Sequence, residues 1–179
     1  AASGIGEWIS ERTDLLLDNL PLEPDDVIAD IGAGTGYFSL PIAARVPRGR
    51  VLAVDIQPEM LALLHDRAKR TGVPNVEPVL GKVDDPGLAP DSVDLALMVD
   101  VYHEFSQPCE MMRAVVRALK RGGRVALVEY RAEDPAVPIK PLHKMTRAQA
   151  EKEMAAAGLR LQRTFDGLPW QHLMIFEKR

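Results

Sequence analysis

Asp30 stands just ahead of three glycines at alternate positions, Gly32, Gly34 and Gly36, in the stretch ADIGAGTGYFSL. A glycine turn between a strand and a helix gathers backbone N–H groups and a helix N-terminus, the usual seat of a nucleotide phosphate. The spacing here is G-x-G-x-G, and Tyr37 fills the place where a dinucleotide-binding turn has its third glycine. The carboxylate of Asp30 suits a cationic group better than a phosphate. About twenty residues on, Asp55 ends a second apolar run and is placed to accept hydrogen bonds from ribose hydroxyls. These residues ask for a nucleoside with a positive appendage and no phosphate. A second group, in DVYHEF, puts Asp100, Tyr102, His103 and Glu104 after a fourth apolar run. Imidazole exchanges protons near neutral pH, so His103 is the candidate general base. Against these readings, glycine turns also serve close packing alone, and His103 with Glu104 also suits packing under the next helix or merely orienting Asp100.

The elements that must position these groups alternate. DVIADI, RVLAVDI, NVEPVL, SVDLALMV and RVALVEY read as buried strands; YFSLPIAARV, PEMLALLHDRAKR and QPCEMMRAVVRALK read as helices. Pro58 is tolerated in a first turn, and Gly72 ends that helix. An N-terminal helix within residues 1–20 carries Trp8, Ile9, Leu15, Leu16 and Leu20 and stops at Pro21. Alternation of this kind predicts a parallel sheet covered on both faces. GLRLQRTF and WQHLMIFEK, separated only by DGLP, are too close for a parallel crossover and predict an antiparallel hairpin. Thr146 and Gln149 form a T-x-x-Q helix-capping box.

With 179 residues, 46% of them hydrophobic, the chain suits one domain with one sizeable core. A net charge of −4 gives no electrostatic reason to expect nucleic acid or an acidic membrane. No apolar run reaches membrane-spanning length. A lone cysteine, Cys109, forms no intrachain disulfide, which favours a cytoplasmic setting. The chain begins AASGIGEW without methionine, so a preceding signal stays open.

VIADIGAGTGYFSLPIA, VLAVDIQPEML, SVDLALMVDVYHEF and ALKRGGRVALVEY together resemble the successive motifs of class I S-adenosylmethionine-dependent methyltransferases, in the small-molecule and quinone-methylating branch. The resemblance runs from about Val27 to Tyr130, and the hairpin extends it. It implies a single α/β domain: a Rossmann-like doubly wound sheet, mostly parallel, of strand order 3-2-1-4-5-7-6. It also implies S-adenosyl-L-methionine as cofactor. Asp30 and the Gly32, Ala33, Gly34 and Gly36 backbone, with Tyr37, would hold the methionine part. Asp55 would hold the ribose, and Ile56 and Met60 the adenine face, although Met60 equally suits the core. Many relatives carry an acidic residue after the third strand's glycine; here LGKVDDP has Lys82, so Asp84 and the Val83 backbone are assigned to the adenine edge. Asp100 completes the cofactor set.

In such a sheet the reaction lies at the carboxyl ends of the strands. The proline-rich stretch RAEDPAVPIKPLHKM then forms a lid over residues 131–145, and its prolines leave it few backbone hydrogen bonds. Tyr102, Tyr130, Arg131, Lys140, His143, Lys144, Trp170 and His172 reach one face, a wall suited to a small anionic or aromatic acceptor. Lysines are usually solvated, and Trp170 also suits the core. No metal is expected: His103, His143 and His172 lack a metal-binding spacing. The acceptor atom, oxygen, nitrogen, sulfur or carbon, stays open, as does oligomeric state. A catalytically silent ligand-binding subunit is the alternative, and a nicotinamide oxidoreductase a more distant one.

Overall fold

The computed structural model describes residues 12–179. Trp8 and Ile9 lie outside them. Residues 12–18 are helical (α1), and Leu16, Leu17 and Leu20 are buried. Next come β1 (Val27–Ile31), α2 (Ser39–Arg45), β2 (Arg50–Asp55), α3 (Pro58–Thr71), β3 (Val76–Leu80) and β4 (Val93–Val99). The chain continues through α4 (Pro108–Ala118), β5 (Leu119–Arg131), β6 (Lys144–Met145), α5 (Arg147–Ala156), β7 (Leu159–Phe165) and β8 (Gln171–Lys178).

The strands form one sheet in the order β3-β2-β1-β4-β5-β8-β7, with β6 beside the end of β5. This is the expected topology: the two-residue β6 enters the count and moves the hairpin to β7 and β8. β1 to β5 pair in parallel and β8 runs antiparallel to β5, so the hairpin turn returns to the carboxyl edge.

Strand alternation sorts the core onto two faces. Ala29, Ile31, Val54, Met98, Val125 and Leu127 pack under α4 and α5, against Met112, Val115 and Met154. Ile28, Val51, Leu95, Leu97 and Val128 face the other way, onto Leu17 of α1 and Ile42 of α2. Local signals set the helix ends. Pro58 and Pro108 sit in first turns, Gly72 closes α3 in the left-handed region at φ 70°, and Thr146 accepts a hydrogen bond from the Gln149 N–H at 3.1 Å. α2 starts two residues later than its apolar pattern predicts, because the turn runs on past Gly36 at φ 89°. α4 ends at Ala118 because Leu119 already pairs with Val93, so the glycines of RGG lie within β5.

Candidate functional site

On the side of β1 to β3, the glycine turn is held from within. Gly32 and Ala33 donate backbone hydrogen bonds to the Val54 carbonyl at 2.8 and 2.9 Å. A Cβ on Gly32 would come 2.7 Å from Val101, so only glycine lets the loop after β4 approach. At Gly34 (φ 57°) a Cβ would meet nothing within 4 Å: this glycine borders open space. Asp55 accepts from the Gly34 N–H and the Gln57 N–H, both at 2.9 Å, tying the turn to the start of α3. Asp30 is buried and accepts from the Ser39 hydroxyl at 2.6 Å. Burial raises its pKa from 3.8 to about 6, Ser39 opposes the rise, and Asp55 adds to it.

An open cleft of about 270 Å³ runs from Gly32 past Asp55, Ile56 and Gln57 to Lys82, Val83, Val101, Glu104, Phe105 and Met111. Ile56 and Val83 are half-exposed apolar side chains, as walls for a flat base require. Asp84 is exposed and Met60 half-buried, and neither lines the cleft; Met111 and Phe105, which the sequence reading passed over, do. Tyr37 bonds the Thr13 hydroxyl at 2.9 Å and packs edge-on to Phe38, which fixes the turn to α1.

Around β4, β5 and β8 the groups are drawn from distant segments. Asp100 has φ 52°, a strained backbone for a residue with a side chain. Its Oδ2 accepts from Gln171 at 2.7 Å, while the buried Oδ1 has no partner. Burial pushes its pKa up to about 7, against the lowering effect of Gln171. Backbone strain together with a buried carboxylate oxygen that lacks a partner calls for an explanation. His103, its side chain 8% exposed, places Nδ1 2.7 Å from the Glu129 carboxylate, which also accepts from the His103 backbone N–H at 3.2 Å. Burial raises the Glu129 pKa, and its bonds with His103 oppose that. The His103 Nε2 meets His143 Nδ1 at 3.1 Å and lies 3.8 Å from Glu104 Oε1.

Glu129 and Gln171 escaped the sequence reading. A single glutamate in the apolar run RVALVEY was the only signal for the first; Gln171, beside Trp170, carried none.

Three residues assigned to the acceptor wall have other partners in the fold. Tyr102 is buried in the core, edge-on to Phe105 and beside Glu153, and does not line the cleft. Arg131 spends its guanidinium on the carbonyls of Asp166, Leu168 and Pro169, at 2.7–3.1 Å, and so staples the hairpin turn. His172 stands apart from the other two histidines, its Nε2 on Glu133 at 2.8 Å. Lys140 is exposed, Lys144 reaches the Asp134 carbonyl at 3.4 Å, and Trp170 is half-buried, its carbonyl accepting from the Arg131 N–H. Tyr130 lies near Asp100 and Glu129; burial and those charges push its phenol up to about 12.

The long loop is stitched down more than its prolines predict. β6 pairs with β5, Val137 is buried, and Ala136, Val137, Ile139 and His143 all donate backbone hydrogen bonds within the loop. Among the described residues no helix is long and apolar enough to cross a membrane.

Comparison with known proteins agrees with this geometry. A family model described as a methyltransferase domain matches residues 28–123. An uncharacterized methyltransferase-like protein of Schizosaccharomyces pombe is 36% identical over 135 residues, covering 75% of this chain and 47% of that protein. The malonyl-[acyl-carrier protein] O-methyltransferase of Methylococcus capsulatus is 31% identical over 151 residues, covering 75% of this chain and 52% of that one. The chain thus spans about half the length of these curated relatives. A SAM-dependent methyltransferase from Aquifex aeolicus shares the fold, with a TM-score of 0.86 at 21% identity over 93% of this chain and 89% of that chain. With a family match over more than half its length and the glycine turn, Asp55 and the sheet order in place, the chain belongs to the class I S-adenosylmethionine-dependent methyltransferases.

Proposed function

We propose that the chain methylates a small-molecule acceptor whose nucleophile carries a proton. The observation that carries this reading is the His103–Glu129 pair, 2.7 Å apart and largely buried beside the cleft. Glu129 accepts the Nδ1 proton of neutral His103 and so presents the Nε2 lone pair as a proton acceptor.

S-adenosylmethionine, when bound, supplies a methyl carbon on a positively charged sulfur, open to in-line displacement. The residues present fit it. Gly34 borders open space, Asp55 has oxygen lone pairs beyond those given to Gly34 and Gln57, and Ile56 and Val83 offer apolar faces. The buried Asp30 and Asp100, whose Oδ1 has no partner, are the carboxylates assigned to its cationic part. The chain orients the acceptor, excludes water and takes its proton at His103 Nε2. His143, at the end of the 141–143 turn, now covers that atom, so the loop must shift for an acceptor to reach it.

The test is turnover to S-adenosylhomocysteine over a panel of small hydroxyl, thiol, amine and activated-carbon acceptors. Turnover with a hydroxyl or carbon acid, lost in His103→Asn, supports the reading. Cofactor binding by calorimetry with no turnover on the panel or on a metabolite extract would replace it with a silent binding subunit.

A further inference from the structure

Beyond the glycine turn, one cluster converges without being used as a cluster by the proposed reaction. His103, Glu104 and His143 each offer a ligand atom, and all three atoms lie within 4.8 Å of one another. The ring nitrogens of His103 and His143 are 3.1 Å apart. Neighbouring ligands on a cation with metal–nitrogen bonds of about 2.0–2.1 Å stand roughly 3.0–3.4 Å apart. Glu104 Oε1 is 3.8 Å from His103 Nε2 on a side chain 60% exposed, so a change of rotamer closes the gap at little cost. A second observation points the same way. A metal-binding imidazole usually gives its other N–H to a carboxylate, and His103 gives Nδ1–H to the buried Glu129.

We propose that His103 Nε2, His143 Nδ1 and a Glu104 oxygen form a site for a borderline divalent cation of the Zn²⁺ type. Two imidazoles and one carboxylate are the donors such ions prefer, three protein ligands leave a coordination position free, and Glu104 also lines the cleft. Binding leaves the proton count unchanged but exchanges one N–H bond of His143 for another through solvent. The hydrogen bond between the two rings is replaced by two metal–nitrogen bonds, and His143 keeps its one proton on Nε2 instead of Nδ1. The ion takes the same His103 lone pair that receives the acceptor's proton. Occupancy and turnover therefore exclude each other, and the cation is a reversible inhibitor; this last step rests on the function proposed above.

Sequence spacing hides the site, because His103 and His143 are 40 residues apart and meet only through the loop after β5.

Binding is measured first, without any turnover. The whole purified chain is stripped with a chelator, then titrated with Zn²⁺ against a chromogenic competitor and with Co²⁺ by visible absorption. One equivalent should bind. His143→Ala and Glu104→Ala should each abolish that uptake and the Co²⁺ bands, with thermal melting confirming that the variants fold. Glu129→Gln should weaken binding by about 10–100-fold. No uptake by the parent chain, or uptake unchanged in both ligand variants, as adventitious binding at exposed Cys109 or His65 would give, overturns the site. Turnover is then read with and without Zn²⁺, each protein against its own metal-free rate. The parent should lose turnover and regain it with chelator, and His143→Ala should lose the sensitivity. A parent rate raised by Zn²⁺ overturns the exclusion. Absence of turnover under every condition counts against the methyl-transfer reading alone, since the uptake and Co²⁺ results decide the site by themselves.

Discussion

The two halves of the carboxyl edge are built differently. From β1 to β3 the polar groups are satisfied within one β-α-β unit: Asp30 with Ser39, nine residues on, and Asp55 with Gly34, 21 residues back. From β4 to β8 the pairs span the chain: His103 with Glu129 at 26 residues, Glu133 with His172 at 39, Asp100 with Gln171 at 71. The first half is a turn that any folding βαβ unit preforms. The His103–Glu129 pair forms once β5 joins β4, and the other two wait for β8 to pair with β5, whose register sets Glu129 opposite His172 and Tyr130 opposite Gln171. On the function proposed above, the cofactor sits on the first half and the acceptor on the second.

Four experiments sharpen or break that contrast. The largest effect is expected on the acceptor half. His103→Asn should cut turnover by about 10²–10⁴-fold while calorimetry finds S-adenosylmethionine binding largely unchanged. A parallel loss of cofactor affinity would merge the two halves into one site.

Asp30 tests the cofactor half through stability. Its folded pKa lies near 6, above the unfolded 3.8, so ionisation opposes folding. The penalty is absent below 3.8, grows across the interval and is complete above about 6. Asp30→Asn should therefore stabilise the ligand-free protein at pH 8 by something on the order of 3 kcal/mol, with the difference closing toward pH 4. Urea unfolding at several pH values measures it, and cofactor affinity should fall in the same variant. Equal stability at pH 8 would mean that Asp30 is not the buried charge described here.

Asp55→Ala should weaken S-adenosylmethionine binding by about 1.5–3 kcal/mol, the range for hydrogen bonds to a charged group. Unchanged affinity would leave Asp55 as a brace for Gly34 and Gln57 and nothing more.

The smallest effect concerns the loop. Amide exchange at Lys144 and Met145 should already be slow in the free protein, because β6 is paired, whereas exchange over residues 136–142 should slow only when cofactor and acceptor are both present. Slowing by cofactor alone would place the loop on the cofactor half.

Much of this was legible in order along the chain. Short continuous apolar runs, helical runs between them and the short DGLP linker determine the parallel sheet and its closing hairpin, because run length and linker length are local constraints. The G-x-G-x-G turn, Asp55 and the Thr146 cap are likewise local: each acts on residues whose positions the backbone already sets. What tertiary structure alone decided is burial and partner choice. Whether Glu129 is a surface charge or the anchor of His103, whether Arg131 meets a ligand or staples a turn, and whether Tyr102 faces the cleft or the core depend on which strand lies alongside. A polar side chain shows the same letter in every environment. Its chemistry is set by the distant groups that desolvate and hydrogen-bond it, and those arrive only when β5 pairs with β4 and β8 and the loop brings His143 to His103.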